Sequence, residues 1–239
     1  GMLARGGDTV LVPNPRDLKS LVAAFRNSGC TGFAGLNTLF VALCNDADFR
    51  AVDFSRLKLT MSGGMALTMA AAGRWKEVTG VEIVEGYGMS ETSPVISVNP
   101  VNANRLGTIG IAVPSTEVRI VDDNGNEVAA GEPGELVVRG PQVMLGYWNQ
   151  PGETAKVLSP DGWLHTGDVA VVTPEGYLKI VDRKKDMVVV SGFNVYPNEI
   201  EEVVVAHPDV LECAAVGVPD ERTGEALRVF VVPRHPGLT

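Results

Sequence analysis

Residues 86–94, Gly-Tyr-Gly-Met-Ser-Glu-Thr-Ser-Pro, constrain the fold more than any other stretch of this chain. Apolar Val81, Ile83 and Val84 lead into them, and small or polar residues lead out. The pattern predicts a strand that ends in a loop, the place where open α/β sheets put their ligand sites. Gly86 and Gly88 let backbone approach a ligand closely. Tyr87 offers a flat face to a base, a contact worth about 1–3 kcal/mol in base-stacking systems. Ser90 and Thr92 bring hydroxyls suited to a phosphate, and Glu91 is a hard oxygen ligand for a Mg²⁺ that bridges phosphates. A turn with a buried tyrosine and a solvated glutamate accounts for the same residues equally well.

The chain on either side supplies an α/β setting. Asn14 and Pro15 read as an N-cap and first helical position, followed by Leu18, Leu21, Val22 and Phe25 at helical spacing up to Gly29. A second helix is predicted over about 38–43, and a third from Thr68, as cap, to the stop at Gly80. Between them Leu57, Leu59 and Met61 alternate like a strand, and Ser62-Gly63-Gly64 turns out of it. From about residue 108 short strands take over. Glu117 to Val121, Glu135 to Arg139, Val169 to Val172 and Tyr177 to Val181 are β-rich and separated by turn residues. After the charged run Asp182 to Asp186 a small α+β unit is expected. It comprises a strand over Met187 to Val190, a helix from Pro197 with Ile200, Val203 and Val204 on one face, and strands over 211–218 and 226–232.

The 239 residues and 45% hydrophobic content suffice for one large domain or two smaller ones. No apolar run reaches the roughly 20 residues that span a bilayer, and Gly1 to Gly7 lack a signal-peptide core, which gives a cytoplasmic expectation. Cys30, Cys44 and Cys213 are too scattered for a zinc site or disulfide framework and read as core thiols. A net charge of −9 argues against nonspecific nucleic-acid binding. His165, His207 and His235 read as structural or exposed.

Further motifs stand in a fixed order: Ser62-Gly63-Gly64-Met65, the stretch 140–148 (GPQVMLGYW), Gly162 to Asp168 (GWLHTGD), Asp182-Arg183-Lys184-Lys185-Asp186, and Ser191 to Pro197 (SGFNVYP). With the 86–94 stretch, this set resembles the adenylate-forming, AMP-binding acyl-CoA synthetases over nearly the whole chain, and within them the bacterial long-chain fatty-acid CoA ligases. The fold so implied is α/β and β. It is the C-terminal part of the large acyl-adenylate-synthetase domain over 1–182, with its α/β layer to about 107 and its β subdomain to about 182. The start of a small α+β lid domain follows over 183–239.

The resemblance implies ATP-dependent activation of a carboxylate to acyl-AMP and transfer to coenzyme A. The cofactors and co-substrates so implied are ATP/AMP, Mg²⁺ and coenzyme A, and the partner is a fatty acid, with no nucleic acid. Peripheral contact with the inner membrane and homo-oligomerisation stay open. By the same resemblance Tyr87, between Gly86 and Gly88, stacks on adenine, and the backbone of Ser62, Gly63 and Gly64 lines the ring's edge. Ser90, where the family usually has Thr, contacts phosphate, and Glu91 holds Mg²⁺. Asp168 accepts from the ribose hydroxyls, and Arg183 reaches ribose or phosphate. Lys185 is the hinge, and Ser191, Gly192 and Asn194 swing toward coenzyme A. The family's phosphate-cradling Ser/Thr/Gly loop is expected upstream of Gly1 and its late catalytic lysine beyond Thr239. The chain is therefore expected to be a catalytically silent piece of a longer enzyme. Another acyl- or aryl-CoA ligase, or a noncatalytic nucleotide-binding module, are the alternatives.

Overall fold

The computed structural model describes residues 6–235, so readings that concern Gly1 to Arg5 or 236–239 lie outside the described residues. The chain forms two compact units, 1–113 and 114–239. The charged run 182–186 falls inside the second.

In the first unit, α1 (Leu18–Ser28), β1 (Gly32–Gly35), α2 (Asn37–Asn45), the single turn α3 (Ala47–Arg50), β2 (Leu59–Ser62), α4 (Met69–Thr79), β3 (Ile83–Tyr87), β4 (Ser97–Val98) and β5 (Ile111–Ala112) follow one another. The five strands form one sheet in sequence order, parallel from β1 to β3 and antiparallel from β3 to β5. Thr68 caps α4 by accepting from Ala71 N–H, and Gly80 ends it at φ +76°, both as the sequence predicts. The cap of α1 is a correction. Asp17 rather than Asn14 accepts from Ser20 N–H, while Asn14 accepts from Arg16 N–H in the preceding turn. Leu21, Val22 and Phe25 bury the apolar side of α1.

The core of this unit is aromatic. The Trp75 ring, fully buried, stacks on Phe33 at 5.7 Å between centroids and meets Phe40 edge-on at 4.9 Å. Its indole N–H would be a buried orphan, but it donates to Thr60 Oγ1 on β2 at 3.1 Å, so α4 is tied to the middle of the sheet by shape and by a hydrogen bond. Cys44 is buried, Cys30 and Cys213 are partly buried, and burial raises the pKa of all three free thiols.

In the second unit, β6 (Glu117–Val121), β7 (Gly134–Arg139), β8 (Leu164–Val172) and β9 (Leu178–Arg183) make an antiparallel sheet in sequence order, with α5 (Pro151–Val157) between β7 and β8. Next come β10 (Val188–Val190), β11 (Phe193–Val195), α6 (Pro197–Val205), β12 (Val210–Asp220) and β13 (Gly224–Pro233), with strand order β11-β10-β13-β12. Glu201 on α6 accepts from Ala215 N–H on β12 at 2.7 Å, fastening the helix to the sheet. The expected apolar face of α6 is corrected at one position: Val203 is 74% exposed, while Ile200 and Val204 are half-buried. Six elements, β1, α3, β4, β5, α5 and β11, escaped the sequence reading; each is short, and β1 and β11 lack clear alternation.

Trp75→Ala removes the centre of the aromatic core and should destabilise this protein by about 3–5 kcal/mol. Urea unfolding followed by fluorescence and circular dichroism measures it; a loss under about 1 kcal/mol would show that Trp75 is not the keystone of the unit.

Candidate functional site

Parallel pairing of β2 with β3 sets Ser62 beside Glu85, so the turn after Ser62 and the loop after Tyr87 leave adjacent strand ends. The side chain of Ser62 is buried, and its hydroxyl has no hydrogen-bond partner among the described residues. Gly64 holds φ +85°, which favours glycine, and it and Met65 are exposed. Gly63 lies against the Gly86 carbonyl, which a Cβ would approach to 3.3 Å. Tyr87 is half-buried, with its carbonyl accepting from Ile96 N–H at 2.8 Å.

Beyond Tyr87 the chain doubles back on itself. A Cβ at Gly88 would overlap the Pro94 carbonyl, so this position has an internal need for glycine whatever the loop binds. A single 3-10 turn, Ser90–Thr92, puts Ser90 at the surface and leaves Glu91 half-buried. Thr92 corrects the sequence reading. It is fully buried, its hydroxyl accepts from Met89 N–H at 3.1 Å and lies 3.0 Å from the Met89 carbonyl, so it builds the loop rather than offering itself to a phosphate. The half-buried carboxylate of Glu91 fits Mg²⁺, which keeps waters and phosphate oxygens as its other ligands. The half-buried Gly63 and exposed Gly64 backbone, the orphaned Ser62 hydroxyl and the stacking face of the Tyr87 ring form a set that fits a nucleotide base.

Glu85, which the sequence reading passed over, ties this region together. Its carboxylate accepts N–H bonds from Gly107, at 3.1 Å, and from Leu67, linking two loops to one strand end. Burial raises its pKa above the ordinary 4.5, and the two N–H bonds oppose that shift.

In the second unit the motif residues sit on a bulge. Val137 pairs with His165 and Glu135 with Val169, so Thr166, Gly167 and Asp168 on β8 stand opposite Leu136 alone. Gly167 adopts φ +74°, and Thr166 Oγ1 donates to the Leu136 carbonyl while accepting from Asp168 N–H. A bulge of this kind re-aims side chains out of the regular pleat. Asp168 is thus within a strand rather than at a loop end, paired in register with Arg183 and 3.9 Å from its Nε. Glu135, also unmarked in the sequence, accepts from Gly167 N–H at 3.2 Å and from Lys184 Nζ at 3.2 Å, with His165 Nδ1 at 3.3 Å. Asp123, then Glu135, raise the Lys184 pKa. His207 and His235 are exposed.

Lys185 follows the last β8–β9 pair and is exposed. Ser191 and Gly192, at φ +52° and +84°, make the two-residue turn that joins β10 to β11, as type I′ hairpins require. Asn194 is exposed on β11, where it hydrogen-bonds Tyr196, whose phenol pKa is raised by burial and lowered by that bond. The structure brings together Ser62, Gly63 and Gly86 in the first unit and Asp168 with Arg183 in the second; Ser191, Gly192 and Asn194 form a separate hairpin.

Because Glu85 keeps its proton more tightly when folded, native protein binds more protons than unfolded chain above pH 4.5, and Glu85 makes stability fall as pH rises through that window. Glu85→Gln should remove this slope, so its stability relative to the native protein should improve between about pH 4 and about pH 7. Urea midpoints at several pH values check this; parallel curves would refute the burial argument.

The chain matches the family model described as AMP-binding enzyme over residues 1–148, and that described as AMP-binding enzyme C-terminal domain over 199–239. It is 54% identical over 235 residues to a long-chain-fatty-acid--CoA ligase of Escherichia coli O157:H7, covering 98% of this chain and 42% of that protein. The chain therefore spans less than half the length of this curated relative. Among solved structures it is similar to the amide bond synthetase McbA of Marinactinospora thermotolerans, with a TM-score of 0.89 at 33% identity, covering 99% of this chain and 48% of that one. It is also similar to the anthranilate CoA ligase AuaEII in complex with anthranoyl-AMP, with a TM-score of 0.86 at 32% identity, covering 98% and 45%. By sequence and by fold, the chain belongs to the AMP-binding enzyme family.

Proposed function

We propose that a protein of the relatives' full length, containing this chain, activates a long-chain fatty acid with ATP and transfers the acyl group to coenzyme A. The observation that carries this reading is the 54% identity to a long-chain-fatty-acid--CoA ligase along almost the whole chain, beside the sequence motifs that contain Tyr87, Glu91, Asp168 and Arg183. The fatty carboxylate oxygen attacks the α-phosphorus of ATP, the bond to the bridging oxygen breaks, and pyrophosphate leaves. The thiol sulfur of coenzyme A then attacks the acyl carbon, AMP departs, and the thiol proton passes to solvent.

In this reading Tyr87 stacks on adenine, and the backbone of Ser62, Gly63 and Gly64 meets its edge. Gly86 and Gly88 shape the loop, and Ser90 contacts phosphate. Glu91 would ligate Mg²⁺, which neutralises charge on the phosphate oxygens. Asp168, aimed by the Gly167 bulge, accepts from the ribose hydroxyls, and Arg183 beside it balances its charge and reaches the ribose or phosphate. Lys185 is the pivot between a large domain ending at 182 and a small one beginning at 183, and Ser191, Gly192 and Asn194 travel with the small one toward coenzyme A. A cytoplasmic location belongs to the same proposal; no described helix is long and apolar enough to cross a membrane. The likeness to an anthranilate CoA ligase makes an aryl acid the second candidate substrate.

Pyrophosphate release by the full-length protein should require a fatty acid, and thioester formation should require added coenzyme A. Release with amino or aryl acids and none with fatty acids would overturn the substrate class. In the same protein Asp168→Ala should weaken ATP binding by about 1.5–3 kcal/mol by calorimetry, the scale of a hydrogen bond to a charged group. Unchanged affinity in a folded variant would remove Asp168 from the site.

A further inference from the structure

Asp182 is a charged side chain, only 3% exposed, whose partner lies beyond the hinge. It is the last residue but one of β9, and one carboxylate oxygen accepts from Asn198 N–H at 3.0 Å while the other accepts from Asn198 Nδ2 at 3.1 Å. Asn198 Nδ2 also reaches the Val181 carbonyl at 3.4 Å. Asn198 stands in the first turn of α6, whose N-cap residue Tyr196 supplies no side-chain cap. Asp182 therefore caps α6 from another element, bringing a carboxylate to the positive end of the helix. The remainder of this seam is not packed solid. A cavity of about 500 Å³ lies here, lined among others by Asp182, Arg183, Lys185, Pro197, Asn198 and Glu201.

The residues between the two partners divide sharply. Lys184 is bound on the β-sheet side at both ends, its N–H to the Gly167 carbonyl at 2.8 Å and its ammonium to Asp123 and Glu135. Lys185 comes next and is exposed. A rotation about Lys185 leaves the Lys184 bonds intact and pulls Asn198 off Asp182.

We propose that Asp182 and Asn198 form a latch across the hinge, Asp182 acting as a positioning residue that holds the small α+β part in the orientation seen here. This rests on the reading of Lys185 as the pivot. Opening the latch strips the buried carboxylate of both Asn198 hydrogen bonds, leaving the one from Arg183 N–H at 2.7 Å, and uncaps α6, so the pair sets the balance between the two arrangements that the half-reactions need.

Hydrogen exchange on this 239-residue protein tests the latch without substrate. Asn198→Ala, which removes only the amide side chain, and Asp182→Asn, which keeps the shape and removes the charge, should each speed exchange about tenfold in segments 183–187 and 196–202. Exchange in β8 should stay unchanged. No change in those two segments overturns the latch, and so does faster exchange throughout β8, which marks general loosening. If Asp182→Asn does not fold, Asn198→Ala alone decides. In the full-length protein, Asn198→Ala should alter the ratio of thioester formation to fatty-acid-dependent pyrophosphate release; an unchanged ratio overturns the positioning role. Absence of fatty-acid-dependent release in the unsubstituted protein would overturn the proposed function, leaving the exchange result to judge the latch.

Discussion

The parallel pairing that sets Ser62 beside Glu85 is the constraint on which the first unit's chemistry depends. It brings two loop exits to one edge, and the bond from Trp75 to Thr60, two residues earlier on β2, locks that edge to α4. Glu85 then fixes the loops themselves through the Leu67 and Gly107 N–H groups. A strand end built this way leaves backbone at Gly63 and Gly64 and one aromatic ring for a ligand, while bulky or internally bonded residues such as Thr92 stay inside the loop.

The second unit solves the same problem with a bulge. An unbroken strand would alternate Asp168 through the pleat like any other residue, but three residues opposite one, with Gly167 at positive φ, change where it points. Glu135 holds that bulge and also Lys184, so the segment that carries Asp168 and the segment that follows β9 share one carboxylate.

Local signals in the sequence specify much of the fold. Thr68 and Gly80 bracket α4 by their side-chain and backbone chemistry, and the alternation of Glu117 to Val121 matches β6 residue for residue. The mixed α/β class follows from such patterns, and the linked motifs pointed to the family. The rest depends on register and distance. Nothing near Glu85 in sequence announces Gly107, nothing near Glu135 announces Lys184, and nothing near Asp182 announces Asn198, because each partner arrives by tertiary folding. Asn14 misled for the opposite reason: two good capping residues stand within one turn, and only the structure shows Asp17 winning.

The claim at the centre of this account is that the Gly86–Gly88 loop is a nucleotide's seat, with Tyr87 against the base. Photolabelling the full-length protein with 8-azido-ATP, followed by peptide mapping, addresses it most directly. The account predicts label on the peptide containing Tyr87, abolished by excess ATP and by Tyr87→Ala in a folded variant. Specific, ATP-protected label confined to other peptides would contradict it.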